Sequence, residues 1–124
     1  LRKYPSDFDE LIGWIKEMRI AGVFFLSGDR HFAELTMFTD TAFYPLYDFT
    51  SSPLTAGLAS NRRPEENPLL VPSTFVNDTR NFGMLRFEGP TGDRRVTMEL
   101  YDATGTLRWS RVVKSNELKP PPRR

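Results

Sequence analysis

Gly22-Val23-Phe24-Phe25-Leu26-Ser27-Gly28-Asp29-Arg30-His31 decides how this chain is read: an apolar run ends in a glycine and is followed at once by Asp-x-His, with the only histidine of the sequence. A strand that delivers a carboxylate and an imidazole just past its C-terminal end places chemistry on a rigid support. Upstream, Leu11, Ile12, Trp14, Ile15 and Met18 recur at helical spacing. Ser6 is a candidate N-cap and Asp7, Asp9 and Glu10 suit the positive end of a helix dipole, so a helix is expected over 7–20. Gly22 is expected to cap it in the left-handed region, and Val23–Leu26 to form a short strand buried on both faces.

Downstream, Glu34–Thr39 and Pro45–Thr50 alternate as strands with one wet face. The stretch 51–79 carries Pro53, Pro64, Pro68 and Pro72 among Ser, Asn and Arg, the composition of a long loop with one helical turn at Leu54–Leu58. Phe82–Glu88, Arg95–Tyr101 and Thr106–Val113 read as an antiparallel meander joined at Gly89–Gly92 and Asp102–Gly105, with Val96, Met98 and Leu100 facing inward. The reading is a single α+β domain over 1–124, an N-terminal helix feeding a core strand and then a mainly antiparallel β-sheet. Residues 117–124, ending Pro120-Pro121-Pro122-Arg123-Arg124, are expected to form a flexible tail.

The chain has 124 residues, seventeen basic and sixteen acidic side chains and no cysteine. One core is the natural outcome at this length. Near-neutral charge gives no field that argues for nucleic acid or an anionic membrane, and Arg62-Arg63 and Arg94-Arg95 are too short for a phosphate-tracking stripe. No run approaches the ~20 apolar residues of a membrane-spanning helix. Disulfides and thiolate metal sites are excluded. Because the chain opens on Leu1, it is read as a fragment or a processed product.

Asp29 and His31 offer a carboxylate and an imidazole, ligands suited to zinc, iron, manganese or calcium. In an extended backbone they would share a face ~7 Å apart, a spacing that suits a shared or dinuclear metal site. The alternative is a purely structural turn in which Asp29 caps backbone donors and His31 bonds a neighbour. Arg30 can fork onto a phosphate or stand solvated. Asn81 can reach a ligand or form the turn into a strand. Phe82-Gly83 marks a close backbone approach. Phe24, Phe25, Phe32, Phe38, Phe43, Tyr44, Tyr47 and Phe49 read as core rather than as a stacking platform.

Three blocks in order, Leu26–Leu35, Tyr44–Thr55 and Asn81–Leu85, resemble the C-terminal part of PhoD-like alkaline phosphatases, which belong to the calcineurin-like metallophosphoesterases. The resemblance spans roughly residues 5–115. It implies the C-terminal part of an αββα sandwich and hydrolysis of phosphate esters. It also implies a final Gly-[Asp/His]-x-His metal motif at Gly28, Asp29, Arg30 and His31. His31 would ligate one ion and Asp29 would ligate, or lie near, the other. Two or more di- or trivalent ions (Fe, Ca, Zn or Mn) are implied for the complete enzyme, with export to the periplasm or outside the cell. The family's earlier ligand motifs need further histidines, which these residues lack. Two side chains cannot complete sites of four to six ligands. The expectation is therefore a C-terminal phosphatase segment, inactive alone, completed by the upstream part of the same polypeptide and prone to self-association through an exposed strand edge. The competing expectation is a non-catalytic β-rich binding or interaction module.

Overall fold

The computed structural model describes residues 4–40 and 42–123. Helix α1 runs Pro5–Glu17, two residues earlier at its start and three at its end than the periodicity predicts. Pro5 explains the start: its ring presets the helical φ and it lacks the N–H that a first-turn residue leaves unpaired. Tyr4 therefore takes the N-cap position, without a side-chain cap, and Ser6 lies inside the first turn. At the other end Arg19, not Gly22, makes the left-handed cap, at φ 54°. Its N–H bonds to the Lys16 carbonyl at 3.1 Å and the Ile20 N–H to that of Ile15 at 3.0 Å, the paired bonds of a Schellman motif. Ile15 is the buried anchor of α1, whereas Leu11, Trp14 and Met18 remain exposed.

The β-structure forms two three-stranded sheets rather than one. In the first, β1 (Phe25–Ser27), β2 (Glu34–Phe38) and β3 (Leu46–Thr50) take the order β1-β3-β2, with β1 parallel and β2 antiparallel to the central β3. The expected doubly buried core strand is thus an edge strand, and Leu26 is 61% exposed. In the second sheet β4 (Asn81–Glu88), β5 (Arg95–Asp102) and β6 (Leu107–Lys114) form the expected meander. Val96, Met98 and Leu100 face its buried side as expected. Asp102 organises the β5–β6 turn: one carboxylate oxygen accepts the backbone N–H of Thr104 at 2.9 Å and of Thr106 at 3.0 Å. The Thr104 hydroxyl, which donates to the same oxygen at 2.6 Å, and these backbone bonds hold its carboxyl below the usual range.

Alternation sorts the first sheet's side chains. Leu35, Tyr47 and Phe49 join Met98, Leu100, Trp109 and Val113 of the second sheet in one core, with the Phe49 and Trp109 rings 5.0 Å apart. Tyr47 also meets the second sheet, its hydroxyl accepting a hydrogen bond from Arg111 at 3.0 Å. Ser27, Glu34, Thr36, Asp48 and Thr50 take the opposite face. That polar face is not open water. Glu34 is 7% and Thr36 8% exposed. The covering segment is 67–70: Asn67 Nδ2 donates to Thr36 Oγ1 at 2.9 Å, and Met37 N–H bonds to the Leu69 carbonyl at 3.0 Å.

The stretch 51–79 has no helical turn at Leu54–Leu58; its turn of 3-10 helix is Pro64–Glu66, where Pro64 presets the first φ. It is anchored by single bridges from Ala33 to Val76 and from Thr36 to Leu70, and it buries Val71, Thr74 and Val76. A second 3-10 turn, Ser115–Leu118, buries Leu118, whose carbonyl accepts the Gly22 N–H at 2.8 Å. Packing therefore extends one residue past the expected start of the tail, because Leu118 has an apolar site to fill. Arg124 lies outside the described residues.

Candidate functional site

β1 ends at Ser27, and the chain leaves the carboxyl edge of the first sheet through Gly28-Asp29-Arg30-His31. Asp29 at φ 66° and His31 at φ 62° both occupy the left-handed region. The extended geometry that would align them on one face is therefore absent, and these two residues, not Gly28, turn the chain. Left-handed backbone at a non-glycine residue is unfavourable by ~1–2 kcal/mol, and such strain concentrates at functional turns.

His31 is held from three directions. Its backbone N–H donates to Ser52 Oγ at 2.7 Å and its carbonyl accepts the Ala59 N–H at 3.0 Å. Its ring Nδ1 lies 2.6 Å from the Gly57 carbonyl oxygen. A carbonyl only accepts, so Nδ1 carries the proton, and in the neutral ring the lone pair is on Nε2. A backbone carbonyl behind one ring nitrogen is the arrangement that fixes a metal-ligating histidine. Asp29 is exposed and, among the described residues, makes no hydrogen bond or ion pair. Its carboxylate and the Nε2 of His31 are suitable donors for a hard or borderline cation. They do not complete a site: among the described residues no three His, Asp or Glu side chains converge.

Arg30 lies with its guanidinium carbon 5.1 Å from the Phe32 ring centroid. Arg62 approaches the same ring at 5.9 Å and pairs with Glu66 at 3.0 Å. Asn81, at the start of β4, is bonded to the chain around it. Its Oδ1 accepts from Ser51 Oγ at 2.9 Å, and its Nδ2 donates to the Ser52 carbonyl at 2.7 Å and the Thr79 carbonyl at 3.3 Å. With the side chain 3% exposed, these bonds take up its donors and acceptor. Asn81 thereby steadies Ser52, which in turn holds the His31 backbone.

Beside the turn, the polar face of the first sheet forms a cleft of about 210 Å³ bounded by Ser27, Arg30, Glu34, Asp48, Thr50 and Asn67. Ser27 Oγ donates to Asp48 Oδ1 at 2.8 Å and lies 2.7 Å from Thr50 Oγ1. Burial pushes the Glu34 carboxyl above its ordinary range, against the lowering effect of its Asn67 hydrogen bond. Sequence reading did not pick out Glu34 and Asp48. The available signal was the polar side of the two alternating strands, which reads as solvent-facing until segment 67–70 is known to cover it.

Comparison with family models, with curated proteins and with solved structures finds no match to this chain. Among the described residues, no helix is long and apolar enough to cross a membrane.

Proposed function

We propose that this chain is the C-terminal segment of a PhoD-like metal-dependent phosphatase or phosphodiesterase, to which it contributes Asp29 and His31 as the last metal ligands. The carrying observation is the Nδ1 of His31 on the Gly57 carbonyl at 2.6 Å, which leaves the Nε2 lone pair to a ligand. Asp29 supplies an unengaged carboxylate two residues away. The remaining ligands would come from polypeptide outside these 124 residues, and the ions would be two or more of Fe, Ca, Zn or Mn. Such ions polarise a phosphate ester and lower the pKa of bound water. The residues of this chain orient: Ser52, Gly57 and Ala59 fix His31, and Asn81 fixes Ser52. Export to the periplasm or beyond belongs to the same reading.

The test is hydrolysis of p-nitrophenyl phosphate and its bis ester by the polypeptide that includes the upstream sequence. His31→Ala and Asp29→Ala should each lower activity by more than the roughly 10–100-fold cost of losing an outer-shell partner. Full activity in both variants would refute the assignment. The 124-residue chain by itself should show no efficient hydrolysis.

A second reading, a non-catalytic β-rich interaction module, is favoured by an apolar groove of about 350 Å³ that includes Leu26, Leu54, Phe82 and Leu85. Leu26 is 61% and Leu54 71% exposed, and β1 is an edge strand. Self-association through this edge would appear as a concentration-dependent dimer in sedimentation, abolished by Leu26→Lys. A monomer at all concentrations would remove it.

A further inference from the structure

The cleft beside the Asp29–His31 turn carries opposite charges at different depths. Arg30 is exposed at its rim, stacked on Phe32, and forms no ion pair among the described residues. Deeper, Glu34 is 7% exposed and Asp48 half-buried. Neither carboxylate has an ion pair within 4.0 Å among the described residues. Asn67 is the side-chain hydrogen-bond donor to Glu34, and Ser27 donates to one oxygen of Asp48. The second oxygen of Asp48 and much of the lone-pair capacity of Glu34 are left for something else. Burial is what mainly pushes the Glu34 carboxyl up; Asp48 adds to it, while the Asn67 hydrogen bond and the charges of Arg30 and Arg62 oppose it, so Arg30 and both acids act on the same space.

We propose that this cleft binds the alcohol portion of an amino-alcohol phosphate ester, with Arg30 meeting the phosphoryl group and Asp48 and Glu34 meeting the ammonium group. The proposal rests on the phosphate-ester reading and adds the class of substrate. Three considerations select it. An apolar alcohol would strip water from Glu34 and from the second oxygen of Asp48 without replacing their hydrogen bonds, which is unfavourable by ~1–3 kcal/mol for each group left unpaired. A neutral polyol would satisfy those hydrogen bonds but leave the two carboxylates facing each other. An ammonium group has donors for both and relieves their repulsion. The cleft, at about 210 Å³, lies below the ~300–1,000 Å³ of drug-sized ligand pockets. A short amino alcohol fits that space.

The experiment titrates the metal-free 124-residue chain with phosphoethanolamine, glycerol phosphate, ethanolamine and inorganic phosphate, following backbone amides by NMR. Phosphoethanolamine should bind at least roughly tenfold more tightly than any of the other three, with shifts concentrated at Ser27, Gly28, Arg30 and Thr50. Asp48→Asn, which keeps an acceptor for Ser27, should reduce it to the level of glycerol phosphate. Arg30→Gln, at an exposed position, should reduce it to the level of ethanolamine. Equal affinity for phosphoethanolamine and glycerol phosphate, or shifts away from the cleft, would overturn the proposal. The titration involves neither metal nor turnover, so its failure is separate from failure of the Asp29 and His31 activity test.

Discussion

Gly83 lies against the ring of Phe49 so closely that a Cβ on the glycine would stand 2.9 Å from the ring Cζ. The ring has little room to retreat, because Phe49 is 3% exposed and contacts Trp109 across the two sheets. Gly83→Ala should therefore destabilise the fold by ~1–3 kcal/mol, the usual penalty for overpacking. Urea unfolding measures this, and an unchanged midpoint would show that the sheets separate easily at this point.

Asn81→Ala should lower stability by about 2–3 kcal/mol, since it leaves the buried Ser52 carbonyl and Ser51 hydroxyl without their partner. It should also broaden the His31 ring resonances in NMR, through the loss of support at Ser52. A ligand-binding role for Asn81 would instead leave the apo stability untouched.

The raised carboxyl of Glu34 sets a pH dependence. Between its ordinary value and its raised folded value, the folded state holds more proton than the unfolded state. Stability from this group is thus present at low pH and lost as pH rises through the folded value. Glu34→Gln should flatten that slope and raise stability when melts at about pH 8 are compared with melts at about pH 4. Asp102 runs the other way. Its carboxyl is held low by the turn, so its contribution is lost as pH falls, and Asp102→Asn should weaken the protein at neutral pH.

Asp29→Gly tests whether the turn is kept for chemistry. The glycine accepts φ 66° without strain, so stability should hold or rise by up to ~1 kcal/mol, while activity of the longer polypeptide should fall. Arg19→Gly, at a left-handed position outside the motif, is the control that should leave activity unchanged. A loss of stability in Asp29→Gly would mean that the carboxylate serves the fold.

The meander was legible because alternation and turn residues agree: Val96, Met98 and Leu100 point inward between turns marked by Gly89 and Gly105. The motif at Gly28–His31 was legible as a set of donors. Its geometry was not, since a positive φ at Asp29 and His31 is unfavourable locally, and the partners that hold His31, Ser52 and Gly57, are distant in sequence. The edge position of β1 was hidden for a similar reason. An apolar run signals burial but not which side lacks a neighbour, and Leu26 faces outward. The cleft depended on segment 67–70 folding over β2, a pairing of isolated bridges that no periodicity announces.

β3 presents Asp48 to the cleft while Tyr47 and Phe49 on either side of it enter the core. Adjacent positions thus serve opposite faces, and a slip of one residue would bury the acid among rings and expose the rings to the cleft. Any insertion or deletion within Leu46–Thr50 should therefore abolish folding and recognition together, whereas side-chain exchange at Asp48 can retune the cleft with the core left intact. Ligand preference here can drift by substitution on β3, but not by a change in its length.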